Sequence, residues 1–215
     1  MPQSNSPLTL YHCAGARSTR SLWLLYELDL EFELVTLGFS MAALRTPEYL
    51  AISPLGRVPC LVDGEMRLFE SGAICQYLCE NYGDGSLYRP PGDAERTAWL
   101  QWLHYAETIA VHGASLVQQK VFIAPEQRSE VVQKLESRRL FKAIEVIDRH
   151  LAERNYLLDS GFSAVDIGVG YSIHLATMLT DLGGLDAVQT YLARLSARPA
   201  FQRANPATPE EIFGI

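Results

Sequence analysis

The sequence predicts an α/β module over residues 1–82, a linker over 83–93 and an all-α module over 94–215. Three observations carry that division. The first part alternates short apolar runs with helical periods in the order β-α-β-α-β-β-α. Residues Gly83 to Asp93, GDGSLYRPPGD, gather glycine, proline and polar groups as a linker does. Beyond them nothing reads as a strand.

Residues 1–7 read as a polar lead-in. Leu8 to Cys13 alternates as a short strand, and Leu22, Trp23, Leu25, Tyr26 and Leu28 then follow a helical period, with Ser18 or a neighbour as the cap. Glu31 to Leu37 gives a second strand, and a crossover of this length suits a parallel pair. From Gly38 to Ile52 the pattern is irregular, with a short helix after Pro47. Val58 to Val62 and Met66 to Phe69 flank Asp63-Gly64, a pair that tolerates the positive φ of a tight hairpin turn. Ile74, Tyr77 and Leu78 open the next helix. In the second module, long helical patterns run from Ala94 to Phe122 and, past the break at Pro125, from Glu126 to Leu151. Ser163 and Asp166 have the spacing of a capping box, with Phe162 and Ile167 as a hydrophobic staple. Asp186 to Arg198 forms a last helix stopped by Pro199, and the tail to Ile215 lies along the surface.

With 48% hydrophobic residues the chain can bury an ordinary core. No apolar run approaches the ~20 residues that span a bilayer. The first residues, MPQSNSP, lack the basic start and apolar centre of a secretory signal, so a cytoplasmic location and no membrane partner are expected. A net charge of −7, from 25 acidic and 18 basic residues, argues against a nucleic-acid surface. The four cysteines, Cys13, Cys60, Cys75 and Cys79, have neither CxxC nor zinc spacing, and no metal is expected.

The stretch from Ser53 to Glu80 offers two features suited to binding. Pro59 lies in a strand-like run, where its missing N–H confines it to an edge or a bend. At such an edge a ligand main chain can pair with Val58, although the residues alone leave the isomer of the 58–59 bond open. Glu70 and Ser71 fall at a helix start, where unpaired N–H groups seat a carboxylate and the Glu70 side chain can hold an ammonium beside it. Ser71 as an ordinary N-cap and Glu70 as a favourable dipole charge fit the same residues.

Gly56-Arg57-Val58-Pro59, then Leu68-Phe69-Glu70-Ser71, then an apolar helix resemble the thioredoxin-like half of the cytosolic glutathione transferases. The segment Arg17-Ser18-Thr19-Arg20 before Trp23-Leu24-Leu25 is similar to a bacterial and fungal branch with an RSxR pattern. The resemblance implies a thioredoxin-like domain plus a helical bundle, glutathione as co-substrate, and a homodimer. It also implies thiolate attack on a small electrophile or a peroxide, a detoxifying chemistry with a possible peroxidase side activity. In that family the valine main chain pairs with the cysteinyl unit across a cis Val-Pro bond, and the Glu-Ser pair grips the γ-glutamyl end. Arg57 stands where the family uses a glutamine or lysine on glutathione. Arg45 is a candidate for the glycyl carboxylate or a solvated arginine, and Tyr105 and His112 are candidates for the apolar pocket or for packing.

A free thiol has a pKa of about 8.5, and lowering it by about 1.5 requires roughly 2 kcal/mol of preference for the anion. A hydroxyl donor and the positive end of a helix are enough. Ser18 is the leading candidate, with plain N-capping as its other reading, and Arg17 and Arg20 add positive potential. Arg17 lies near the place where some bacterial classes carry a catalytic cysteine or asparagine, and Gly15 near the serine of other classes; the usual residue is absent at both. Tyr11 is the candidate by analogy with tyrosine-type enzymes. Cys13 is the candidate for a second reading, a glutathione-dependent thiol/disulfide reductase. A third reading is a family member that binds glutathione without turning it over.

Overall fold

The computed structural model describes residues 7–205. The expected lead-in, apart from Pro7, and the end of the expected surface tail lie outside the described residues. Among those described, the residues up to Tyr88 and from Arg198 onward form one compact unit, and Arg89–Ala197 form another.

The first unit is built on a four-stranded mixed sheet in the order β2-β1-β3-β4. Strand β1 (Leu8–His12) buries alternate residues, Leu8, Leu10 and His12, as a period of two requires. It pairs in parallel with β2 (Phe32–Thr36), in register Leu10 with Leu34, and antiparallel with β3 (Cys60–Asp63), in register Leu10 with Leu61. The hairpin to β4 (Met66–Phe69) turns at Gly64, whose φ is +57°. Between β1 and β2 lies α1 (Ser18–Glu27), buried from Ser18 through Leu25. It packs on β1, on α4 (Ser71–Asn81) and on the last helix of the described chain, so its polar first turn is taken out of water with its apolar body.

The irregular stretch after β2 contains two four-residue helices. Ser40 Oγ accepts from the Ala43 N–H at the start of α2 (Met41–Leu44). Thr46 Oγ1 does the same for Tyr49 in α3 (Pro47–Leu50). The first unit continues past residue 82 because two tyrosines fasten the chain: the Tyr82 hydroxyl donates to Asp63 and the Tyr88 hydroxyl to Glu80.

The second unit is all helical: α5 (Arg96–Val117), a π-helical turn at Gln118–Phe122, a 3-10 turn at Pro125–Gln127, α6 (Glu130–Leu151), α7 (Ala164–Thr177) and α8 (Asp186–Ser196). Helix α6 starts later than its apolar pattern, where Ser129 Oγ accepts from the Val132 N–H. Helices α5 and α7 meet closely at Gly168, where an added Cβ would lie 3.3 Å from that of Ala106. The capping box of Ser163 and Asp166 forms, and Asp166 also accepts from the Leu157 N–H at 3.0 Å and the Tyr191 hydroxyl at 2.9 Å. Burial nevertheless pushes its carboxyl up to about 6.

The described end of the chain departs from the surface tail expected after Pro199. Proline at the first helical position starts α9 (Pro199–Ala204) instead of ending structure. Phe201 is buried edge-on against Trp23, and Arg198 grips the Glu27 carboxylate with two bonds of 2.7 Å. Helix α9 therefore belongs with the α/β unit rather than with the helical module in which the sequence reading included it.

Candidate functional site

Three segments of the first unit carry the expected glutathione-binding and thiol-activating residues, except Arg45, which caps the C-terminal end of α2 and is exposed. The first is 53–59. Ser53 is buried, and its hydroxyl donates to the Arg57 carbonyl at 2.9 Å, as does the Tyr49 hydroxyl at 2.7 Å. Between them Gly56 sits at φ +57°, where an added Cβ would lie 2.4 Å from the Leu44 carbonyl oxygen. The bend is thus held from both sides and admits only glycine without rearrangement. It delivers Val58 just before β3, and the Val58–Pro59 bond is cis. Val58 packs against a cluster of Cys13, Leu44 and Tyr49, while the Arg57 side chain is exposed.

The second segment is the start of α4. Glu70 precedes it with φ 77° and ψ 113°, a conformation that L-residues rarely adopt and that costs about 1–3 kcal/mol. Its carbonyl accepts the Ile74 N–H at 2.9 Å, so the helix begins there while the Glu70 side chain is exposed. Ser71 is buried, and its Oγ accepts from Arg20 Nη1 at 3.1 Å. Because Arg20 donates in that bond, the Ser71 hydroxyl keeps its own proton for another acceptor, and a guanidinium lies beside the positive end of α4. Arg20 is therefore fastened to this helix start; the sequence reading had assigned it to the region of Ser18.

The third is the passage from the end of β1 into α1, residues 11–18. Ser18 is fully buried: its Oγ accepts the Cys13 N–H at 3.2 Å, lies 3.2 Å from the Cys13 carbonyl oxygen, and lies 2.9 Å from His12 Nδ1. These contacts brace the end of β1 against the start of α1. Burial holds the His12 imidazole down to about 4, so it is neutral at ordinary pH. Cys13 is fully buried, and burial pushes its thiol up to about 11, so it stays protonated. Arg17 is the half-buried N-cap of α1, and the Tyr11 ring meets that of Tyr49 at a tilt of 42°, with centroids 5.5 Å apart.

Tyr105 and His112 belong to the second unit, where both reach α6. The Tyr105 hydroxyl donates to the Ala143 carbonyl at 3.0 Å. His112 Nδ1 lies 2.7 Å from Glu136, whose carboxyl is held below its usual range by that bond first and by Arg139. Among the described residues no cluster of His, Cys, Asp and Glu is arranged to hold a metal, and no helix is long and apolar enough to cross a membrane.

Sequence reasoning missed His12, Tyr49, Ser53 and the reach of Arg20. Only His12 had a local signal, as the third member of the Leu8, Leu10 alternation. The other three act through contacts their own spacing does not announce.

Residues 6–80 match the family described as glutathione S-transferase, N-terminal domain. A probable glutathione S-transferase of Oryza sativa subsp. japonica is 31% identical over 92% of this chain and 95% of its own length. A glutathione S-transferase of Silene vulgaris is 31% identical over 91% and 96%. Among solved structures, a theta-class glutathione S-transferase of Xanthomonas axonopodis pv. citri with glutathione bound superposes with a TM-score of 0.83 at 27% identity, covering 94% of this chain and 99% of its own. A serine-to-cysteine variant of poplar glutathione transferase F1 gives 0.81 at 27% identity, covering 93% and 96%. A thioredoxin-like domain followed by a helical one, with relatives of this similarity along nearly the full length, leads to one assignment: the chain belongs to the glutathione S-transferase family.

Proposed function

We propose that the chain binds glutathione extended across its first unit and ionises the thiol for attack on a small electrophile. The observation that carries this reading is the backbone of Glu70, held at φ 77° before a helix whose first serine accepts from Arg20. Strain of that kind persists where the surroundings impose it, and here it leaves a donor hydroxyl, a helix start and a free-standing carboxylate side by side. The γ-glutamyl carboxylate takes the Ser71 hydroxyl and the helix N–H groups, and its ammonium takes Glu70. The cysteinyl main chain pairs with Val58, whose approach the Gly56 bend fixes. Arg57 and Arg45, both exposed, reach toward the remaining polar groups.

The sulfur then faces the loop 14–17 and the start of α1. Ser18 acts as a positioning residue, because a hydroxyl so buried and bonded holds the loop in place. Attack on an aryl halide forms the C–S bond and expels halide, the thiol proton having gone to solvent. On a hydroperoxide, two glutathione thiols supply two electrons and leave the disulfide, an alcohol and water. The protonated, inaccessible Cys13 does not favour the reductase reading. Exposed Leu55 and Phe69 support a homodimer, and the expected location is the cytoplasm. Tyr105 and His112 bear on the apolar pocket through the placing of α6 against α5. The RSxR start of α1 suits a bacterial and fungal branch, a reading that the Xanthomonas neighbour favours and the plant sequence relatives do not.

Turnover of glutathione with aryl halides, enals and hydroperoxides tests this function, with an ultraviolet titration of the bound thiol alongside. Ionisation below the free thiol together with turnover is expected. Tight binding without either would favour the non-catalytic reading.

A further inference from the structure

Helix α4 carries two thiols that glutathione binding and activation leave unused. Cys75 and Cys79 are four residues apart, which places them on one face of the helix in successive turns. Cys75 is half-buried and Cys79 buried. Their thiols are hydrogen-bonded to each other, and that contact first, then burial, then the charges of Cys75 and Glu80 push the Cys79 thiol up, so it keeps its proton at ordinary pH.

Two touching thiols can close to a disulfide or be bridged by a third atom. A disulfide asks for Cβ atoms about 3.8 Å apart, whereas one helical turn sets them about 5–6 Å apart. This turn is held at its length: the Tyr82 and Gly83 N–H groups both donate to the Leu78 carbonyl, at 2.9 and 3.1 Å, and the Tyr77 and Tyr82 hydroxyls both donate to Asp63. An atom between the sulfurs replaces one short bond by two longer ones and leaves the helix as it is. A metal ion there would need both sulfurs as thiolates, which the proton on Cys79 opposes, and among the described residues no third His, Cys, Asp or Glu joins the pair. Uncharged arsenous acid makes no such demand, because its own hydroxyls leave as water with the thiol protons.

We propose that Cys75 and Cys79 form a covalent capture site for trivalent arsenic, taken up as arsenous acid. The more exposed Cys75 sulfur bonds to arsenic first, and one hydroxyl leaves with the thiol proton as water. Cys79 forms the second As–S bond and a second water leaves. One As–OH group remains, arsenic stays trivalent, and no charge is created on the half-buried face. The site does not rest on the glutathione reading and is testable without that thiol.

The test is intact-mass spectrometry of the full chain, reduced with a phosphine and treated with arsenite, followed by peptide mapping. The wild type should gain one AsOH bridge in place of two thiol hydrogens, mapped to 75 and 79 and released by excess dithiothreitol. Cys75→Ser and Cys79→Ser should each leave no adduct at the arsenite concentration that saturates the wild type, since the second bond is the intramolecular one. Cys75→Ser, at the half-buried position, should do so with a cooperative melting curve. Diamide should leave residues 75 and 79 unjoined. No adduct on the wild type, an adduct retained in Cys75→Ser, or a 75–79 disulfide after diamide would each overturn the proposal.

Discussion

Gly56→Ala probes the bend that delivers Val58. At φ +57° an alanine costs about 1–2 kcal/mol through its backbone alone. Its Cβ would also stand 2.4 Å from the Leu44 carbonyl oxygen and 3.3 Å from Leu50 Cδ2, and relieving such overpacking costs about 1–3 kcal/mol more. The sum is about 2–5 kcal/mol. At roughly 2–4 °C per kcal/mol for a chain of this size, Tm should fall by roughly 5–15 °C. Gly85→Ala serves as the control, because Gly85 also has positive φ, +91°, but an added Cβ there meets nothing within 4 Å. Relief of the clash pushes the 53–59 bend away from Leu44 and carries Val58 with it. Gly56→Ala should therefore weaken glutathione as well as lower Tm, whereas Gly85→Ala should lower Tm only modestly and leave affinity alone. Differential scanning calorimetry and a glutathione titration read the two effects. Equal Tm values for the two variants, with equal affinities, would refute the argument that the Leu44 contact sets the bend.

Asp166→Ala strands the Leu157 and Ser163 N–H groups and the Tyr191 hydroxyl in a dry interior, at a cost of about 3–5 kcal/mol, so Tm should drop by roughly 10 °C; an unchanged melting curve would remove the role given to this carboxylate. His12 gives a pH dependence. Its folded value of about 4 lies below the 6.5 of an unfolded histidine, so its contribution is intact above pH 6.5 and is lost as pH falls toward 4, by about 3 kcal/mol in all. Asp166 works in the opposite sense, because its raised value favours the folded state as pH falls from about 6 toward 4. The difference in Tm between wild type and His12→Gln isolates the imidazole, and should move against the wild type across that window; a constant difference would show that His12 is not held neutral. Ser18→Ala leaves the buried Cys13 N–H without its acceptor and should lower stability by about 1–3 kcal/mol. A rise of about 1.5 in the bound-thiol titration with no fall in Tm would instead mean that the hydroxyl touches the sulfur directly.

Local features were legible and distant ones were not. The 63–66 hairpin and the Ser163–Asp166 box announce themselves within four residues and the structure contains both, although the turn centres on Gly64-Glu65, one residue later than the Asp63-Gly64 pair, because Asp63 still pairs with Met66 in the ladder. Helix α2 has no such mark, being one turn that rests on Ser40. Pro199 reads equally as the stop of one helix and the first residue of another, and only the burial of Phe201 against Trp23 decides between them. In the candidate site, Gly56 and Ser71 are readable as residue types that suit a bend and a helix start. Glutamate, by contrast, gives no hint of the positive φ at Glu70. The Arg20–Ser71 bond spans 51 positions, and the commitment of Ser18 to Cys13 depends on side-chain direction, which no periodicity encodes.

The central claim is that glutathione is gripped at its amino end by Glu70 and Ser71, and calorimetric titration of the wild type against the pair Glu70→Gln, Ser71→Ala tests it most directly. Losing one charged contact and one charge-assisted hydrogen bond should raise the dissociation constant at least about tenfold. Equal affinities in the two proteins, or no heat from the wild type, would contradict the account.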